Sequence, residues 1–170
     1  MEISYVEGEK LKIKTRTGTV ILAPESLTMS HKGGVGDDFV VANPGEYEVE
    51  GISVFGYAAG KQTIYVVQAE DLRTLYLGNL EEVLSEKLVT ELENIDTVIV
   101  GVGGTGKIGV KEIIELIAKL EPYYVIPLAE GKDKLIASYE HGSRQVKSLS
   151  LNKLTLSEDL TEVIVLDGKI

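Results

Sequence analysis

Thr97-Val98-Ile99-Val100-Gly101-Val102-Gly103-Gly104-Thr105-Gly106-Lys107 is the turning point of this 170-residue chain. Residues 97–100 carry no charge, which predicts a strand covered on both faces. Glycines follow, and then Val110, Ile113, Ile114, Ile117 and Leu120 recur at helical spacing up to Pro122. Tyr124-Val125-Ile126-Pro127 reads as the next strand. Upstream, Leu84, Leu88, Val89 and Leu92 mark another helix, with Ser85 placed to cap it. Downstream, Leu135, Ile136 and Tyr139 predict a third helix stopping near Gly142, and Leu149-Ser150-Leu151 and Val163-Ile164-Val165-Leu166 close the chain as strands.

The first 80 or so residues follow the period-two pattern of strands. Leu11, Ile13 and Thr15 alternate with Lys10, Lys12, Lys14 and Arg16, a strand with one wet face. Thr17-Gly18 is a turn, and Val20-Ile21-Leu22 returns. Glu46, Glu48 and Glu50 alternate with Tyr47 and Val49, and further strands are expected at residues 52–55, 63–67 and 72–77. Short strands with frequent turn signals predict a sandwich or meander. The chain therefore reads as one domain, residues 1–170, with an N-terminal β half and a C-terminal β-α-β half sharing one core.

Composition narrows the function. There is no cysteine, which excludes a thiol nucleophile, a cysteine zinc site, an iron–sulfur cluster and a disulfide scaffold. The net charge is −10, and residues 1–100 hold 8 basic against 17 acidic side chains. Such a surface repels a phosphate backbone, so nucleic acid is not an expected partner. No apolar run reaches the length of a membrane span, and the first residues lack the pattern of a signal peptide. A cytoplasmic protein is the expectation.

The stretch from Gly101 to Lys107 fits G-x-x-x-x-G-K, the loop whose backbone N–H groups cradle phosphates. The next residue should be a Ser or Thr holding Mg²⁺, and it is Ile108. Too little chain follows for a nucleotide-binding parallel sheet. A tight strand-to-helix turn is the better reading of these glycines.

Several segments, taken in order, resemble one family. They are Ser30-His31, Asn43-Pro44-Gly45-Glu46-Tyr47-Glu48-Val49, Thr63-Ile64-Tyr65-Val66, Leu77-Gly78-Asn79-Leu80, Val102-Gly103-Gly104, Val125-Ile126-Pro127 and Asn152-Lys153-Leu154-Thr155-Leu156-Ser157. Together they look like the short bacterial metallo-β-lactamase-fold hydrolases, the Zn-dependent hydrolases of the β-lactamase fold. The resemblance implies an α+β sandwich of αβ/βα type, two mixed β-sheets flanked by helices. It also implies a metal centre, and the ligands of that centre are largely missing. Against the family's H-x-H-x-D-H, only His31 remains; Gly33, Val35 and Gly36 stand where two histidines and an aspartate belong. The loop before Thr63 is cut to Gly56-Tyr57-Ala58-Ala59-Gly60, Asn79 replaces a bridging aspartate, and the last histidine position falls near Leu128-Ala129-Glu130.

A catalytic zinc takes three protein ligands plus water. His31 alone does not meet that count, and a neutral amide at Asn79 is a poor zinc donor. The resemblance therefore points to a protein that has lost its metal centre, uses no cofactor, and binds a small ligand or a protein partner; self-association is left open. The expected cleft is lined by His31, Gly33, Gly36, Asn79, Gly103, Gly104, Thr105, Ala129 and Glu130. Rebuilding it with Gly33→His, Asn79→Asp and Ala129→His is expected to restore zinc affinity. One rival is a metal-dependent hydrolase with an atypical site using His31, Asp37, Asp38 and Glu130. Another is a phosphate or nucleotide binder through Gly101 to Lys107. His141 precedes Gly142 at an expected helix end, where a protonated imidazole suits the dipole. Glu46, Glu48 and Glu50 read as a solvated strand face. Ser30 and His31 point to opposite faces of extended backbone, so they form no catalytic dyad.

Overall fold

A computed structural model of the chain describes residues 1–34, 36–156 and 160–168. Val35 and Ser157, each part of a motif read above, lie outside them. In chain order the strands are β1 (Glu2–Glu7), β2 (Lys10–Lys14), β3 (Gly18–Ala23), β4 (Ser26–His31), β5 (Phe39–Val41), β6 (Gly45–Val49), β7 (Ile52–Ala59), β8 (Gln62–Ala69) and β9 (Leu72–Gly78). Helix α1 (Glu86–Glu91), β10 (Thr97–Gly101), α2 (Val110–Leu120), β11 (Tyr124–Leu128) and α3 (Lys132–Ile136) follow, then β12 (Ser143–Val146), β13 (Ser148–Ser150) and β14 (Glu162–Leu166).

The strands form two sheets. The first has the order β13-β1-β2-β3-β4-β5, the second β12-β14-β11-β10-β9-β8-β7-β6. The second is mixed: β6 to β9 are antiparallel neighbours, while β9, β10, β11, β14 and β12 run parallel. Where the sequence predicts two mixed sheets, the first is antiparallel throughout. Its consecutive strands follow one another too closely to turn back parallel, because a parallel return takes about a dozen residues. The sheet boundary also falls inside the N-terminal β half, since β6 to β9 join the second sheet.

One shared core was expected, and the chain builds two. Ile3, Leu11, Ile13, Val20, Leu22, Leu27 and Met29 of the first sheet meet Tyr65, Val67, Tyr76, Ile99, Ile126 and Ile164 of the second. The opposite face of the second sheet, with Ile64, Val66, Leu75, Val98, Val100 and Val125, packs on Ile113, Leu116 and Ile117 of α2 and Leu135 of α3. Alternate residues of β8 and β10 thus enter different cores, which explains their uninterrupted apolar runs. No helical residue enters the inter-sheet core among the described residues. All three described helices pack on the outer face of the second sheet, so among the described residues helices flank one sheet rather than both. The outer face of the first sheet presents Lys12, Ile21, Thr28 and Val40 in one cross-strand row, and Lys14, Thr19 and Ser30 in the next. Hydroxyls and ammonium groups there need no cover.

The helix predictions hold with one change. The Ser85 hydroxyl accepts from the Leu88 N–H at 3.2 Å and caps α1. Helix α2 ends on Glu121 in the left-handed region, one residue before Pro122. Helix α3 stops at Ile136 rather than near Gly142, and single-turn bonds carry the chain onward through Ser138, Tyr139 and Gly142. His141 therefore does not sit at a helix end. Among the described residues, no helix is long and apolar enough to cross a membrane.

Candidate functional site

The parallel strands β9, β10, β11 and β14 all finish at one end of the sandwich. The β1–β2 and β3–β4 turns reach the same end from the first sheet. There the Asn79 side-chain N–H donates to Glu9 Oε2 at 3.2 Å, joining the sheets. Asn79 Oδ1 is buried without a partner, and it lies against Gly101, where a Cβ would collide with it. The amide orientation follows from its neighbour: reversed, it would set oxygen against the Glu9 carboxylate. Tyr76 and Tyr65 are opposed cross-strand on the inter-sheet face just below. Burial, then the Glu9 carboxylate, then Tyr65 push the Tyr76 hydroxyl well above its ordinary range. It stays a neutral donor at any physiological pH.

Gly103, Gly104, Thr105, Ala129 and Glu130 lie at this end, in the loops that follow β10 and β11. The Val102 N–H donates to Leu128 O at 3.0 Å, and the Gly131 N–H donates to Val102 O at 2.9 Å. These bonds lock the loops after β10 and β11 together. The fit is close: a Cβ at Gly131 would stand 2.5 Å from Val102 O. Ala129 holds φ +67° in this crossing.

His31 is elsewhere. Strands β3 and β4 are joined by the two-residue turn Pro24-Glu25, with Ala23 facing Ser26 and Gly18 facing His31. So short a turn can only reverse the chain, and β4 carries its last residue to the opposite end of the sandwich. There His31 Nδ1 lies 2.9 Å from Glu50 Oε1, and a Cβ at Gly36 would touch the imidazole at 3.0 Å. Gly33 is exposed at φ +79°, and Asp37 and Asp38 follow on the surface. The expected cleft therefore divides. His31, Gly33 and Gly36, with Asp37 and Asp38, lie at one end, and the other six positions lie at the opposite end. The atypical set of His31, Asp37, Asp38 and Glu130 is split in the same way. Motif order revealed the segments, but not the direction in which the chain crosses the sheet.

The glycine loop closes as a turn. Gly103, Gly104 and Gly106 take φ +93°, +102° and +76°, and the Lys107 N–H reaches back to Gly104 O at 3.4 Å. Lys107 Nζ is bonded to Glu81 Oε1 at 2.9 Å, and helix α2 begins three residues later at Val110.

A profile of the beta-lactamase superfamily domain matches residues 36–129, more than half of the chain. The chain belongs to the beta-lactamase superfamily. Among solved structures, it resembles a Thermotoga maritima protein named for the Zn-dependent hydrolases of the metallo-beta-lactamase superfamily. The TM-score is 0.82 at 24% identity, over 98% of each chain. It also resembles Igni18, a metallo hydrolase of the archaeon Ignicoccus hospitalis, with a TM-score of 0.59 at 12% identity over 89% of this chain and 99% of that one. At these identities the likeness is one of fold. A comparison with curated proteins finds no match.

Zinc, implied by the superfamily, can be tested against the donors present. The open end offers the carboxylates of Glu9, Glu25, Glu81 and Glu130 and an amide whose carbonyl oxygen is turned into protein, but neither His31 nor His141 reaches it. Among the described residues, no group of three or more His, Cys, Asp or Glu side chains could hold a metal ion. The donor set does not fit zinc. Glu9, Tyr76 and Lys61, all at this end, escaped the sequence reading. Glu9 lies in a hairpin turn and Tyr76 within an apolar run, so nothing in their local patterns marks them.

Proposed function

We propose that this superfamily member acts by binding a small polar ligand at the open end of the sandwich, without a metal centre. The observation that carries the reading is the Glu9–Asn79 bond. A carboxylate from the β1–β2 turn accepts a hydrogen bond from an amide at the end of β9, at a position where the resemblance calls for a metal ligand. Beside them lies a cavity of about 410 Å³ that takes Pro24, Glu25 and Ala42 from the first sheet and Gln62 and Asn79 from the second. A cavity of this size suits a small ligand better than a protein surface.

The test is elemental analysis together with thermal melting. The purified protein is expected to contain no stoichiometric Zn, Mn or Fe, and EDTA is expected to leave Tm unchanged. A metal held at a hundredfold over its Kd would add about 2.7 kcal/mol to stability. A clear fall in Tm on chelation would overturn the metal-free reading.

A further inference from the structure

We infer that the cavity beside Asn79 is a subsite for a small oxyanion, a carboxylate or phosphate group, received by Lys61 and Lys107 in exchange for the Glu81 carboxylate. The inference rests on the ligand-binding reading above and names the ligand's chemistry.

Three side chains carry it. Lys61 stands in the turn between β7 and β8, Glu81 follows β9, and Lys107 precedes α2; all three line the same cavity. Lys107 Nζ donates to Glu81 Oε1 at 2.9 Å. The same bond, the charge of Lys107 and then that of Lys61 hold the Glu81 carboxyl below its ordinary range. Two ammonium groups from separate elements thus act on one carboxylate at the cavity wall. That carboxylate is a resident example of the group the site accepts. The Glu81–Lys107 pair is open to water, with side chains 51% and 27% exposed, and pairs of this kind are held weakly. Lys61 has no ion-pair partner within 4.0 Å among the described residues. An incoming oxyanion can therefore take both ammonium groups while Glu81 swings into solvent, where it loses little.

The far wall limits what fits. Glu25, exposed in the β3–β4 turn, also lines the cavity. Two lysines against Glu25 and a displaced Glu81 favour a ligand of low charge over a polyanion such as a nucleoside triphosphate.

The test is titration of the full chain at low ionic strength with inorganic phosphate, acetate and Mg-ATP, followed by backbone amide shifts. Phosphate or acetate is expected to shift amides around Lys61, Asn79 and Lys107; whichever binds more tightly assigns the group. Glu81→Gln removes the competing carboxylate and is expected to tighten binding at least threefold. Lys61→Gln and Lys107→Gln are each expected to weaken it at least threefold. All three side chains are on the surface, and circular dichroism checks their folding. The inference is overturned if Glu81→Gln binds no more tightly than the parent, if the shifts cluster elsewhere, or if Mg-ATP binds and the small anions do not. Metal content is measured separately, so failure here is distinguishable from failure of the metal-free reading.

Discussion

Asn79 shows how much one side chain decides. Its amide donates to Glu9 while its carbonyl oxygen is buried without a partner. Asn79→Asp would turn a donor into an acceptor facing a carboxylate, leaving two oxygens unsatisfied. A buried group that loses its partner costs about 1–3 kcal/mol, and charge repulsion adds to it. The variant is expected to melt lower than the parent at pH 7 and to recover on acidification; a thermal melt series against pH reads this. At the opposite end His31→Ala is expected to cost less than about 1 kcal/mol by chemical denaturation, because exposed pairs are worth little. Glu70 supplies the clearest pH effect. Burial pushes its carboxyl up, but the Met1 ammonium at 2.5 Å and the Arg16 backbone N–H at 2.7 Å outweigh it and hold the group below its ordinary value of 4.5. A depressed carboxylate stabilises the fold above its unfolded pKa, and that contribution is lost as pH falls through the lower folded value. Glu70→Gln is therefore expected to reduce the slope of stability against pH below about 4.5, measured by urea denaturation.

At the scale of elements, β8 and β10 state the architecture most directly. Val66 faces the helices and Val67 faces the first sheet, and both are fully buried. Val66→Ala and Val67→Ala are each expected to cost about 1–3 kcal/mol in denaturant melts, with neither face forgiving. This double burial is what made the second sheet readable: an uncharged run bounded by turn signals has few other solutions. The Ser85 cap and the apolar spacing of α2 were readable for the same reason, since both are local. Strands β1, β5 and β12 were not. Each is short or weakly alternating and is fixed by its neighbours in the sheet rather than by its own pattern. The site was half legible. Asn79, Gly103 and Ala129 follow strands whose direction the sequence implies. The direction of β4 hangs on the length of one turn, and no alternation of side chains reports that.

Across the whole molecule, the separation of His31 from Asn79 sets the outcome of rebuilding the metal centre. Gly33→His, Asn79→Asp and Ala129→His were expected to restore four ligands with native His31. Gly33 and His31 lie at the end opposite Asn79 and Ala129, so the triple variant is expected to bind Zn²⁺ no better than the parent by calorimetry. Tighter one-to-one binding would mean that the two ends come together after all. The layering has a further consequence. The second sheet lies between the first sheet and the helices, while the first sheet turns Lys12, Ile21, Thr28 and Val40, and Lys14, Thr19 and Ser30, to water. Amide protons of β10 and β11, shielded on both faces, should be the last to exchange with deuterium, requiring global unfolding. Those of β5 and β13, short edge strands of the uncovered sheet, should exchange early through local opening. The molecule would then come apart from one side only, shedding its wet layer while the middle sheet stays closed beneath its helices.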